Sequence, residues 1–295
     1  MKPTVIAMPG NEPLADDLAT RLSLARIAAT VRRFPDGESH VRVENPVEGR
    51  DALIVCTLDR PDDKLVPLLL LAAAVRETGA LSVGLVAPYL AYMRQDRRFQ
   101  PGETISAQHV AAWISRSFDW LVTVDPHLHR ISDLSQVYSI PASVVHAASS
   151  VAEWVRANVR NPLLIGPDEE SAQWVSAVAK EADAPFVVLT KTRLGDREVK
   201  VAVPEVERWR SHTPVLVDDI VSTARTMIET VGHLRGAGLT APVCVAVHAV
   251  FAQTAFEDLR AVGAGDIVSC DTIRHSSNRI SLAHGIAAEV REQLP

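Results

Sequence analysis

Short uninterrupted apolar runs, each followed by a stretch with helical spacing, recur along the whole of this 295-residue chain. Residues 5–8, 53–56, 83–87 and 121–124 read as strands that are apolar at successive positions. Between them, 14–22, 65–76 and 104–118 read as helices. The second of these closes at Gly79 and tolerates Pro67 only in its first turn; the third opens on the hydroxyl cap Thr104. A strand apolar on both faces must be covered on both faces. The alternation therefore demands parallel sheets packed between helices. The pattern resumes after a weaker stretch around 140–148, with helices at 151–159, 172–182, 226–235 and 281–293 and strands at 163–165, 186–189, 215–217 and 243–247. Residues 190–200 carry charge and Gly195 without helical period and read as a mobile loop. Val199, Val201 and Val203 then alternate as in a half-buried strand.

One internal echo organises the chain. Residues 53–87 and 215–247 each run strand, short polar loop, helix, Arg with Gly, strand. The expectation is two similar α/β halves, at 1–145 and 146–295, with the last helix returning to pack on the first half. Lengths of about 150 residues suit one core each.

Composition narrows the function. Hydrophobic residues at 47% exclude a disordered chain, and aromatics at 5% leave the cores to Ala, Val, Leu and Ile. A net charge of −6 argues against a broad nucleic-acid surface. Cys56, Cys244 and Cys270 are widely spaced in or beside apolar runs and read as buried reduced thiols. The longest apolar run, 65–75, is too short to cross a bilayer, and the first residues show no signal-peptide pattern. The expectation is a soluble, cytoplasmic protein.

The sharpest motif is Val215-Leu-Val-Asp-Asp-Ile-Val-Ser-Thr-Ala-Arg-Thr226. An apolar strand ends in Asp218 and Asp219, a small hydroxyl loop follows, and a helix begins at once. Loop amides and a helix N-terminus attract a phosphate, with hydroxyls from Ser222, Thr223 and Thr226, while the two carboxylates can accept from a sugar diol. No nucleotide-binding loop of the G-x-x-x-x-G-K-[ST] or G-x-G-x-x-G kind is present. Four further segments carry chemistry in plainer form. Phe34-Pro-Asp-Gly-Glu38 offers a ring to stack on a base and acceptors at Asp36 and Glu38, and equally reads as a Pro-Asp-Gly turn. Tyr92-Met-Arg-Gln-Asp96 offers the planar fork of Arg94 and the amide of Gln95. His127 directly follows a buried strand. With His129 it hints at zinc, but no cysteine or third ligand lies near. Lys191 and Arg193 are two cations in the charged stretch.

The 215–226 motif resembles the ribose-phosphate loop shared by type I phosphoribosyltransferases and phosphoribosyl diphosphate synthetases. The other segments are similar to the synthetases' own. Phe34–Glu38 resembles their nucleotide loop, Tyr92-Met-Arg-Gln-Asp96 their second ATP segment, and Val124-Asp-Pro-His127 their metal and phosphate histidine motif. Gly166-Pro-Asp168 resembles their second metal site, and Lys191-Thr-Arg193 their catalytic basic pair. They occur in the family's order over most of the chain. Arg97-Arg98-Phe99, where many members have an acid, resembles archaeal forms.

The resemblance implies two doubly wound parallel-sheet domains of the type I phosphoribosyltransferase kind and a magnesium-dependent ribose-phosphate diphosphokinase. Its substrates would be ATP and ribose 5-phosphate, and it would be a homo-oligomer with no nucleic-acid or membrane partner. The resemblance assigns Phe34, Asp36, Glu38, Arg94 and Gln95 to ATP. It assigns Asp218, Asp219, Ser222, Thr223, Ala224, Arg225 and Thr226 to ribose 5-phosphate, His127 and Asp168 to the metal, and Lys191, Arg193 and His127 to catalysis. Arg225 stands where a small residue is usual and would carry a strain cost if its backbone required positive φ. Two rival readings are a phosphoribosyltransferase and a non-catalytic regulatory relative.

Overall fold

The computed structural model describes residues 2–128, 130–167, 171–193, 199–202 and 206–294. The chain divides into two units, one made of Met1–His146 with Ala283–Pro295, the other of Ala147–Leu282.

Unit 1 is built on β1 (Thr4–Ala7), β2 (Ala25–Ile27), β5 (Asp51–Val55), β6 (Ser82–Ala87), β7 (Trp120–Val124) and β8 (Ala142–Val145). They form one parallel sheet in the order β2-β1-β5-β6-β7-β8. Its helices are α1 (Glu12–Leu22), α2 (Asp62–Glu77) and α3 (Ser106–Ser117). A hairpin, β3 (Ala29–Arg33) with β4 (Ser39–Val43), stands beside the sheet. Its register pairs Ala29 with Val43 and Val31 with Val41, so these four side chains share a face, and that face packs on the core.

Unit 2 repeats the plan with α4 (Ala148–Asn158), β9 (Pro162–Gly166), α5 (Ala172–Ala182), β10 (Phe186–Val188), β11 (Thr190–Arg193), β12 (Val199–Ala202), β13 (Thr213–Val221), α6 (Arg225–Gly236), β14 (Val243–Ala249), α7 (Ala255–Ala261), β15 (Asp266–Cys270) and β16 (Asn278–Ile280). The parallel order is β10-β9-β13-β14-β15-β16, and β11–β12 is the side hairpin. The echo in the sequence is thus β5-α2-β6 against β13-α6-β14. The last helix, α8 (Ala283–Gln293), packs on α1, β7 and β8 of unit 1.

Several local readings are corrected. Helix α2 starts at Asp62, so Pro67 lies in its second turn. Proline there deprives the Asp63 carbonyl of its helical donor, and the Arg33 guanidinium, 3.3 Å away, supplies one instead while pairing with the Asp63 carboxylate at 2.9 Å. Thr104 does not cap α3, whose N-cap is Ile105 without a side-chain hydrogen bond. Residues 190–193 and 199–202 pair as antiparallel strands, with Lys191 opposite Val201 and Arg193 opposite Val199 in the register, where the sequence reading had a loop; residues 194–198 lie outside the described residues. The close approach of β6 to β7 rests on Gly84, where a Cβ would lie 2.0 Å from the Trp120 ring. No described helix is long and apolar enough to cross a membrane.

Candidate active site

Open parallel sheets bind ligands at the C-terminal ends of their strands, where the strand order reverses. In unit 2 that reversal lies between β9 and β13. β13 pairs with β9 only as far as Leu216, then continues to Val221 against β14 alone. Asp218 and Asp219 sit in this overhang. They therefore lie within the strand and not beyond its end, a correction to the reading from sequence. The Asp219 N–H donates to Asp218 Oδ1 at 3.0 Å and the Ile220 N–H to Asp219 Oδ1 at 2.7 Å, which restrains both carboxylates within the overhang.

The loop from Ser222 to the start of α6 turns on Ala224, whose φ of 55° is left-handed. This settles where the strain falls: the small residue occupies the costly conformation, and Arg225 is the first residue of the helix, exposed and unstrained. The dipole and amides of α6 open directly onto residues 222–226. Thr223 is exposed, and Ser222 and Thr226 are half-buried. The neighbouring strand β9 ends at Gly166, where a Cβ would meet Ser171 Oγ at 2.6 Å. Asp168 itself lies outside the described residues. Lys191 and Arg193 belong to β11.

Unit 1 gathers the remaining candidates in three places. At the tip of the β3–β4 hairpin, the Phe34 N–H donates to the Glu38 carbonyl at 2.8 Å, and Gly37 takes a φ of 95°. Asp36 Oδ1 accepts the Glu38 N–H at 3.1 Å, so Asp36 builds the turn with one oxygen. Phe34 is exposed; the Arg32 guanidinium lies 4.6 Å from its ring centroid, and His40 meets it edge-on. In the loop after β6, Tyr92 adopts a φ of 66° and its hydroxyl donates to Asp62, a bond that holds the phenol protonated, its pKa pushed up to about 12. Arg94 and Gln95 are exposed there. Gln95 Oε1 accepts from Ser106 Oγ at 2.6 Å, which leaves the amide NH2 as the part able to meet a base. Asp96, only 4% exposed, is held by Arg130 Nη1 at 3.1 and 3.2 Å.

After β7, the half-buried His127 follows Asp125, which has a φ of 28° and accepts from His146 Nδ1 at 2.9 Å. That hydrogen bond raises the pKa of His146. His129 lies outside the described residues. Tyr92, Asp96 and Asp125 stand within the sequence motifs, but the sequence reading gave them no role of their own. A signal appears only in three dimensions: Tyr92, Asp125, Ala224, Phe251 and Gln253 are non-glycine residues at positive φ, all in loops beyond sheet strands.

The donor chemistry around these strand ends is hard. Among the described residues no three His, Cys, Asp or Glu side chains gather as a cation cage, while the carboxylates of Asp218 and Asp219 stand in the β13 overhang. Oxygen donors of this kind fit magnesium, which keeps water and phosphate oxygens as most of its ligands.

The model of the N-terminal domain of ribose phosphate pyrophosphokinase matches residues 4–117, and that of the phosphoribosyl transferase domain matches 133–277. The ribose-phosphate pyrophosphokinase of Methanopyrus kandleri is 34% identical over 288 residues, covering 97% of this chain and 98% of the relative. The chain belongs to the ribose-phosphate pyrophosphokinase family. The family protein of Methanosarcina acetivorans is 32% identical over 97% of this chain and 99% of its own. The crystal structure of phosphoribosylpyrophosphate synthetase from Mycobacterium smegmatis superposes with a TM-score of 0.87 at 25% identity, over 99% of each chain. The fold is α/β with parallel sheets, in agreement with this neighbour, and residues 133–277 match the phosphoribosyl transferase domain.

Proposed function

We propose that this chain transfers the βγ-diphosphate of ATP to the C1 hydroxyl of ribose 5-phosphate, giving phosphoribosyl diphosphate and AMP. The observation that carries the reading is the β13 overhang. Two carboxylates held within a strand lead straight into a hydroxyl-bearing loop and a helix N-terminus at the switch point of unit 2. In this reading Asp218 and Asp219 accept from the ribose hydroxyls. Residues 222–226 take the 5-phosphate, with Arg225 as an added cation. Phe34 stacks on the purine, and Glu38 with the second oxygen of Asp36 accepts its exocyclic N–H. Arg94 and the Gln95 NH2 complete the nucleotide contacts.

The C1 oxygen attacks the β-phosphorus, the bond from that phosphorus to the α–β bridging oxygen breaks, and AMP departs with that oxygen. The hydroxyl proton is released to water. Charge that develops on the transferring oxygens is stabilised by Lys191 and Arg193. His127 and Asp168 would hold magnesium, which when bound neutralises phosphate charge. Positioning and charge compensation then supply most of the rate.

A product assay with magnesium, ATP and ribose 5-phosphate tests the reading, AMP being separated from ADP by chromatography. AMP formed in step with phosphoribosyl diphosphate is the expected result. ADP would mean simple phosphorylation and overturn it, and ATP binding without turnover would favour a regulatory relative.

A further inference from the structure

The carbonyls that enter the ribose-phosphate loop are held from the side. In unit 2 the Phe251 N–H donates to the Val221 carbonyl at 2.9 Å, and the Ala252 N–H to the Ser222 carbonyl at 3.0 Å. Phe251 and Ala252 lie in the turn between β14 and α7, and that turn is under strain. Phe251 has a φ of 20° and Gln253 a φ of 54°, conformations that residues with a Cβ adopt only when their surroundings enforce them.

Against this turn packs a cluster of three rings. The Phe251 and Phe256 centroids lie 5.3 Å apart at 71°, Phe251 and His275 4.9 Å apart at 42°, and Phe256 and His275 4.8 Å apart at 71°. These are attractive tilted and edge-to-face arrangements. His275 is itself fixed: its Nδ1 accepts the Ser277 N–H at 3.2 Å and lies 2.8 Å from Ser277 Oγ. Ser277 is buried, and its Oγ is 2.7 Å from Ser269 Oγ on β15. A chain of contacts thus runs from Ser269 on β15, through three rings, to the two amides that hold the carbonyls of Val221 and Ser222.

We propose that Phe251, Phe256 and His275 are positioning residues for the ribose-phosphate loop, holding residues 221–222 so that the loop meets the sugar phosphate already formed. The proposal rests on the reading of residues 222–226 as the ribose 5-phosphate cradle. A preformed loop spends no binding energy on ordering itself, so loosening it weakens ribose 5-phosphate and leaves ATP alone.

Calorimetric titration of the full-length protein with ribose 5-phosphate and, separately, with ATP tests this. Phe251→Gly removes the ring yet relieves the backbone strain, so a ring without influence on the loop would leave binding intact. The expected result is about a tenfold weaker Kd for ribose 5-phosphate, with ATP unchanged within about twofold. Phe251→Tyr keeps the ring and is expected to restore parental binding. Phe256→Leu, which leaves the strained residues in place, is expected to weaken ribose 5-phosphate about threefold, and it carries the test should Phe251→Gly fail to fold. Asp219→Asn separates the two readings. If it weakens ribose 5-phosphate while neither ring variant does, the positioning role is overturned and the cradle stands. If the parent protein binds no ribose 5-phosphate, the cradle reading fails and the positioning role with it.

Discussion

Asp96 is a buried carboxylate in an exposed loop, and its replacement by asparagine gives a quantitative test of how that loop is held. The side chain is 4% exposed, and its two oxygens lie 3.1 and 3.2 Å from Arg130 Nη1. Asparagine keeps the shape and one acceptor and removes only the charge. At 3.1 Å and an effective dielectric of about 20–40, the gross attraction is roughly 3–5 kcal/mol. Taking Asp96 out of water, together with the 45% exposure of Arg130, cancels much of this and leaves about 1–2 kcal/mol. The pair joins the Arg94-Gln95 loop to the segment that follows His127, so part of that energy orders the residues proposed to meet the nucleotide. The assay is a double-mutant cycle with Arg130→Gln, read by urea unfolding, and the KM for each substrate in each variant. The expected coupling is about 1–2 kcal/mol, and the KM for ATP rises by up to about tenfold while that for ribose 5-phosphate holds. A coupling below about 0.3 kcal/mol with an unchanged KM for ATP would refute the reasoning and leave the ion pair incidental.

Three further outcomes are expected. Gly84→Ala places a methyl 2.0 Å from the Trp120 ring between two central strands, and lowers the stability measured by urea unfolding by about 2–3 kcal/mol; an unchanged midpoint would show that the sheet relaxes freely there. Arg225→Ala, at the first position of α6, is expected to leave the melting temperature unchanged and to raise the KM for ribose 5-phosphate about tenfold; an unchanged KM would remove Arg225 from the cradle. NMR titration of histidine Cε1 signals is expected to place His146 above the ordinary 6.5, chiefly through its hydrogen bond to Asp125, and His275 below it through burial. His146 therefore contributes stability that is present below about pH 6.5 and lost as pH rises through its folded pKa, whereas His275 costs stability as pH falls from about 6.5 through its folded pKa. The reverse order of the two midpoints would contradict both contacts.

The alternation of apolar runs with helical patterns was enough to specify parallel sheets covered by helices, because a strand apolar on both faces has no other stable setting. The motif at 215–226 was legible for a related reason. Its chemistry sits on consecutive residues, so strand, acids, loop and helix start appear in order along the chain. The β3–β4 hairpin was not legible, since its apolar face of Ala29, Val31, Val41 and Val43 is interleaved with arginines and becomes a face only once the register is known. Nor was the length of α2, where Pro67 argued for a later start. The compensating donor is Arg33, from a different element.

Site geometry divides the same way. Residue type and order marked Asp218, Asp219, Ser222, Thr226, Phe34 and Arg94 as chemistry-bearing, because their side chains are the chemistry. The positive φ at Ala224, the amides of Phe251 and Ala252 on residues 221–222, the rings around His275 and the clasp on Asp96 join parts of the chain that sequence spacing leaves unrelated. Local propensity and patterning decide which elements form, and they act over a few residues. Which loop carries strain, and which neighbour holds it there, is decided by packing between segments far apart in sequence, and only the folded sheet brings those together.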